Sequence, residues 1–114
     1  SMKLKFCLEI DTDDTWIRDY GYISLREDYE IRLLDFAFDG WGGKFEATLD
    51  NLVNQKLHSK GYFGLTTLQT IDYILEGGSI ESDGDGTILT TSKCLCNANR
   101  NTGLIKTAVE SQLA

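Results

Sequence analysis

Apolar and polar positions alternate along residues 3–10, with Leu4, Phe6, Leu8 and Ile10 on one side and Cys7 on the other. This period of two predicts a half-buried strand. The polar run 11–14 interrupts it, and residues 16–25 read as a short extended segment bent at Gly21. Residues 30–38 predict another strand, with Leu34, Phe36 and Phe38 on one face. Gly40, Gly42 and Gly43 around Trp41 predict a loop that brings backbone close to something bulky. The period then lengthens. Leu49, Leu52, Val53 and Leu57 form the apolar stripe of a helix over 48–60, with Thr48 as its N-cap and Gly61 just past its end. Residues 71–75 predict a strand ending at Glu76. Residues 79–82 and 87–91 pair as a hairpin across the Asp-Gly-Asp-Gly turn, and residues 104–113 predict an amphipathic helix.

The order strand, strand, helix, strand, hairpin, helix defines a mixed α/β chain. The 114 residues show no linker, no low-complexity segment and no visible repeat, which fits one domain with a single core. No apolar run approaches the ~20 residues of a membrane helix, and the charged start does not form a signal peptide. A net charge of −7, with scattered Lys and Arg, argues against a nucleic-acid partner. The same acidity suits a cationic small-molecule partner, although a solvated acidic surface accounts for it equally well.

Three cysteines do not suggest a disulfide framework, and reduced thiols favour a cytoplasmic setting. Cys94 and Cys96 form a Cys-x-Cys pair without a second pair at zinc spacing, so no metal site is expected. A calcium loop counted from Asp83 would need a glutamate where Cys94 stands, and the flanks alternate as strands rather than helices. The lone histidine, His58, falls near the end of the predicted helix, where a surface or capping role suits the helix dipole.

Three segments carry candidate chemistry: TWIRDYG at 15–21, LEGGSIESDGDGTILTT at 75–91, and NRN at 99–101. On residue type alone, Asp19 is a carboxylate that pairs with Arg18 or caps a turn, and Trp16 is a core tryptophan. Arg18 reads as a buried residue that orients its loop. Glu76 closes an apolar run before Gly77 and Gly78, where the chain can bend sharply and a ligand can approach the backbone. Burial there would raise its pKa, as a proton shuttle requires.

Together the three segments resemble the guanidino-group-modifying enzymes, nearest to the agmatine deiminase branch, the bacterial peptidylarginine-deiminase-like family. The resemblance implies a five-module α/β-propeller, or pentein, of ββαβ units around a central pocket, of which this chain covers about two. It implies a cationic, agmatine-like substrate and no cofactor. Asp19 then matches the aspartate that binds the guanidinium, Glu76 the catalytic proton carrier, and Trp16 an aromatic lining the pocket, where a cation can rest on its face. Trp41 matches a loop at the pocket rim, and Asn99, Arg100 and Asn101 tie the hairpin to the last helix.

Deimination needs more than these parts. A thiolate must attack the guanidinium carbon, and an acid must protonate the departing ammonia. The family's His-x-Asp motif and late cysteine have no counterpart here: neither Cys94 nor Cys96 matches the nucleophile, and His58 lies outside the histidine motif. Proline is absent, and Tyr22 and Thr102 stand where the family usually has it. The expectation is therefore a partial domain, residues 1–114, that lacks an N-terminal module and the C-terminal catalytic half. Such a chain is expected to lack turnover and to self-associate through its uncovered apolar faces. Alternatives are a non-catalytic guanidinium-binding or interaction module, or part of a deiminase acting on arginine or peptidyl-arginine.

Overall fold

A computed structural model describes residues 7–95. In chain order the elements are α1 (Ile17–Tyr20), β1 (Ile23–Glu27), β2 (Glu30–Ala37), a single turn α2 (Gly40–Gly43), a 3-10 turn (Asp50–Leu52) running into α3 (Val53–Ser59), and β3 (Thr67–Ile74). A second 3-10 turn (Gly77–Ser79), the strands β4 (Ile80–Ser82) and β5 (Ile88–Thr90), and α4 (Ser92–Leu95) follow.

β1 and β2 pair antiparallel from Ile23↔Leu34 to Glu27↔Glu30, joined by a tight loop in which Asp28 takes φ +52°. β2 and β3 pair parallel, from Arg32↔Thr67 onward. Parallel neighbours require a crossover, and α3 supplies it. The result is one complete ββαβ unit among the described residues, followed by the β4–β5 hairpin as a separate two-stranded sheet. The mixed α/β class read from the sequence is therefore observed.

Two apolar clusters form. Tyr20, Phe38, Ala47, Val53 and Leu57 pack with Ile10, Trp41 and Phe63. Tyr73, Leu75 and Ile80 pack with Ile23, Phe36 and Ile71. Each fully buried aliphatic or aromatic side chain contributes about 1.5–3 kcal/mol. The predicted common face of Leu34, Phe36 and Phe38 does not occur. The register of β2 against β3 slips between Phe36 and Ala37, so Phe36 and Phe38 join different clusters.

Other elements depart from the pattern for local reasons. Residues 7–10 form no strand, since no neighbouring strand pairs with them among the described residues. Residues 17–20 are helical rather than extended. Asp14 Oδ1 accepts the Trp16 N–H at 3.0 Å, and the Tyr20 hydroxyl donates to the Asp14 carbonyl at 2.6 Å, closing the turn that Gly21 ends.

The predicted helix over 48–60 starts late, with its first turn in 3-10 form. Thr48 is not its cap, because its hydroxyl donates to Glu46. Asp13 takes that part instead, its Oδ2 accepting the Leu49 N–H at 2.8 Å. Leu52 is exposed, while Asp50 and Asn54 are buried. Gly61 does follow the helix end with φ +81°. The predicted helix over 104–113, the segment 99–101 and Cys96 lie outside the described residues.

Candidate functional site

Asp19 sits in α1, and Glu76 follows β3. What brings them together is the Gly77–Gly78 pair. A side chain at Gly77 would strike the Arg18 carbonyl, and one at Gly78 would strike the Asp19 carboxylate. Neither glycine has a positive φ, so their role here is space rather than a sharp bend. What approaches this backbone is α1 itself. The Gly78 N–H donates to Asp19 Oδ1 at 3.1 Å, joining two segments 59 residues apart.

The other oxygen of Asp19 has its own donor. Trp41 Nε1 donates to Asp19 Oδ2 at 3.0 Å. Asp19 is half-buried, and among the described residues no Lys or Arg pairs with it. A carboxylate held by neutral donors on both oxygens keeps its full charge and, with about four lone-pair sites, its capacity for further donors.

Glu76 is 6% exposed, at a position just after the strand. Its carbonyl accepts the Ser79 N–H at 3.0 Å and the Ser79 hydroxyl at 2.7 Å, which fixes the turn carrying Gly77 and Gly78. The turn that follows Glu76 thus carries the Gly78 N–H that binds the Asp19 carboxylate.

Trp16 stands apart from this arrangement. Its side chain is 68% exposed, so it is not a core tryptophan. Arg18 is also exposed, and its guanidinium reaches the Ile80 carbonyl at 3.5 Å rather than Asp19, so the expectation of a buried residue fails. The aromatic at Asp19 is Trp41. It lies in a turn of left-handed sense in which Gly40, Trp41, Gly42 and Gly43 have φ of 69°, 63°, 84° and 79°. For an L-residue that conformation costs about 1–2 kcal/mol. The three glycines escape the penalty, and Trp41 bears it. The Gly-Trp-Gly-Gly spacing was the available signal for it.

His58 is exposed in the last turn of α3, its ring 6.2 Å from that of Phe63. Cys7 is exposed and Cys94 half-buried. Among the described residues no group of three or more His, Cys, Asp or Glu side chains is placed to hold a metal ion, and no helix is long and apolar enough to cross a membrane.

The ββαβ unit and the hairpin that follows it have counterparts among known proteins. The chain belongs to the Porphyromonas-type peptidyl-arginine deiminase family, whose description matches residues 2–114. It is 39% identical over 113 residues to the agmatine deiminase of Pseudomonas aeruginosa strain LESB58, which covers 93% of this chain and 30% of that protein. Among solved structures it is similar to a variant of the C. jejuni agmatine deiminase with substrate bound, at 47% identity and a TM-score of 0.86, covering 93% of this chain and 31% of the other. The agmatine deiminase of Enterococcus faecalis gives 38% identity and a TM-score of 0.80, covering 91% of this chain and 30% of the other. The chain spans about 30% of the length of these relatives.

Proposed function

We propose that the chain supplies the guanidinium-gripping part of a deiminase that hydrolyses agmatine to N-carbamoylputrescine and ammonia, feeding putrescine formation in the cytoplasm. One observation carries the reading: the Asp19 carboxylate is oriented by two neutral N–H donors, with no Lys or Arg paired to it among the described residues. A guanidinium is planar, cationic and forked, and a carboxylate with free lone pairs is its natural complement. Asp19 is the grip. Glu76, buried beside the glycine turn, carries the proton that the departing ammonia takes.

In that reaction a thiolate adds to the guanidinium carbon, the carbon–nitrogen bond to ammonia breaks, and water then releases the carbamoyl product and restores the thiolate. The thiolate, a histidine and a second aspartate belong in this reading to parts of the protein beyond this segment, within a five-module propeller. Trp16 lines the route to the site at its exposed position. Arginine or peptidyl-arginine as substrate would use the same grip.

Calorimetry with agmatine tests the reading. The 114-residue chain is expected to bind agmatine without releasing ammonia, and Asp19→Ala to weaken binding at least about tenfold, as loss of a charge-assisted hydrogen bond implies. Absence of binding at millimolar agmatine would reject the guanidinium reading. Ammonia release that vanishes in Cys94→Ala or Cys96→Ala would place the nucleophile in this chain instead. The chain is also expected to self-associate through exposed apolar side chains such as Leu25, Ile31, Phe45 and Leu89. A compact monomer in light scattering at tens of micromolar, roughly the range of weak contacts, would reject that.

A further inference from the structure

The geometry points to Trp41 as the positioning residue for Asp19: its indole N–H, delivered by the left-handed turn, holds the carboxylate in the orientation that receives a guanidinium. This rests on the reading of Asp19 as the grip and adds to it the device that aims it.

Trp41 is the one residue of α2 with a side chain. Were the turn only a connection, glycine would be the residue for all four positions. The turn is held from its start by Asp39, whose Oδ1 accepts the Gly42 N–H at 2.9 Å and whose carbonyl accepts the Gly43 N–H at 2.8 Å. A Cβ at Gly40 would collide with the Phe45 carbonyl, so the entry to the turn admits glycine alone.

The indole is then fixed from two sides. Its ring meets Phe38 edge to face at 5.1 Å and 89°, and Phe45 at 5.7 Å and 87°. Between those contacts Nε1 has one direction, and it leads to Asp19 Oδ2 at 3.0 Å. With Gly78 on Oδ1, each oxygen has a donor and the carboxylate plane is set. An arginine in this place would orient Asp19 equally well and neutralise it. An indole orients it and leaves the charge for the ligand, so the strain in the turn secures a neutral donor where a cation would defeat binding.

Trp41→Phe separates donation from packing, because phenylalanine keeps an aromatic ring against Phe38 and Phe45 and lacks the N–H. The experiment titrates agmatine into the 15N-labelled 114-residue chain, following both indole N–H signals, with Trp16→Phe assigning that of Trp41. The Trp41 signal is expected to shift with agmatine in the wild-type chain, and Trp41→Phe to lower agmatine affinity about tenfold. Asp19→Ala, without agmatine, is expected to move the Trp41 signal and speed its exchange with solvent. Trp41→Phe binding agmatine as tightly as the wild type would overturn the positioning role and leave the guanidinium reading standing. A wild-type chain that binds no agmatine would overturn both. If Trp41→Phe does not fold, the Asp19→Ala spectrum decides: an unmoved Trp41 signal overturns the role.

Discussion

Asn54 donates a hydrogen bond of 2.8 Å to Asp35 in the interior, between a helix and the middle strand of the sheet. The same amide nitrogen donates to the Tyr20 carbonyl at 3.0 Å, and the Asn54 oxygen accepts the Tyr22 N–H at 3.1 Å. One side chain therefore joins α3 to β2 and to the chain leaving α1. Asn54→Leu keeps the volume, but leaves a buried carboxylate and two backbone groups without this partner. It is expected to cost about 3–5 kcal/mol, the usual penalty for breaking a buried charged network. Chemical denaturation of both chains measures it.

Gly78→Ala places a methyl group on the Asp19 carboxylate, and Gly77→Ala places one on the Arg18 carbonyl. Each is expected to lower stability by about 1–3 kcal/mol, the range for overpacking. Gly78→Ala should also abolish agmatine binding, since Asp19 must swing away. Gly43→Ala, where nothing crowds a Cβ but φ is +79°, provides the comparison of strain without collision.

Alkaline pH should loosen the core through Tyr20. Burial, and then the negative charge of Asp50, raise its pKa above the ordinary 10.0. The folded state thus holds the phenolic proton more tightly than the unfolded chain does. That contribution is fully present below the unfolded value, and it is lost as pH rises from there through the raised folded value. Tyr20→Phe is expected to flatten this alkaline limb in urea unfolding. At neutral pH it should cost about 1 kcal/mol, because the hydrogen bond to the Asp14 carbonyl is lost.

Asp13 and Asp50 exchange caps across the start of the helix. Asp13 accepts from Leu49, and Asp50 Oδ1 accepts the backbone N–H groups of Asp13 at 2.8 Å and Asp14 at 3.2 Å. Asp13→Ala removes one cap, at about 1 kcal/mol. Asp50→Ala removes a fully buried side chain that accepts from two backbone donors and is expected to cost more than twice that. Thermal unfolding of the two variants checks the order.

The elements legible in the sequence were those set by short-range pattern. Glu30–Ala37, the β4–β5 hairpin and Gly61 follow from alternation and turn chemistry, and Asp19 and Glu76 stood out through motif context. What stayed hidden was tertiary. No short-range pattern marks Asp35, Asp50 and Asn54 as interior, yet they are buried because their partners come from elsewhere in the chain. Phe38 changed cluster through a register slip that no alternation encodes. The resemblance gave Trp16 a place in the pocket and Trp41 a place at its rim, and the hydrogen bond that ties Trp41 to Asp19 across 22 residues was not legible from either.

The parallel pairing of β2 with β3 has a consequence in time. The β1–β2 hairpin needs only a two-residue loop and can zip early, while β3 must wait for the whole crossover to close. Glu76 and Gly78 arrive with β3, so the Gly78–Asp19 bond completes only after that slow step. Mutations in the crossover far from either acid are therefore expected to delay recovery of ligand binding during refolding, while the hairpin regains its backbone signal on schedule.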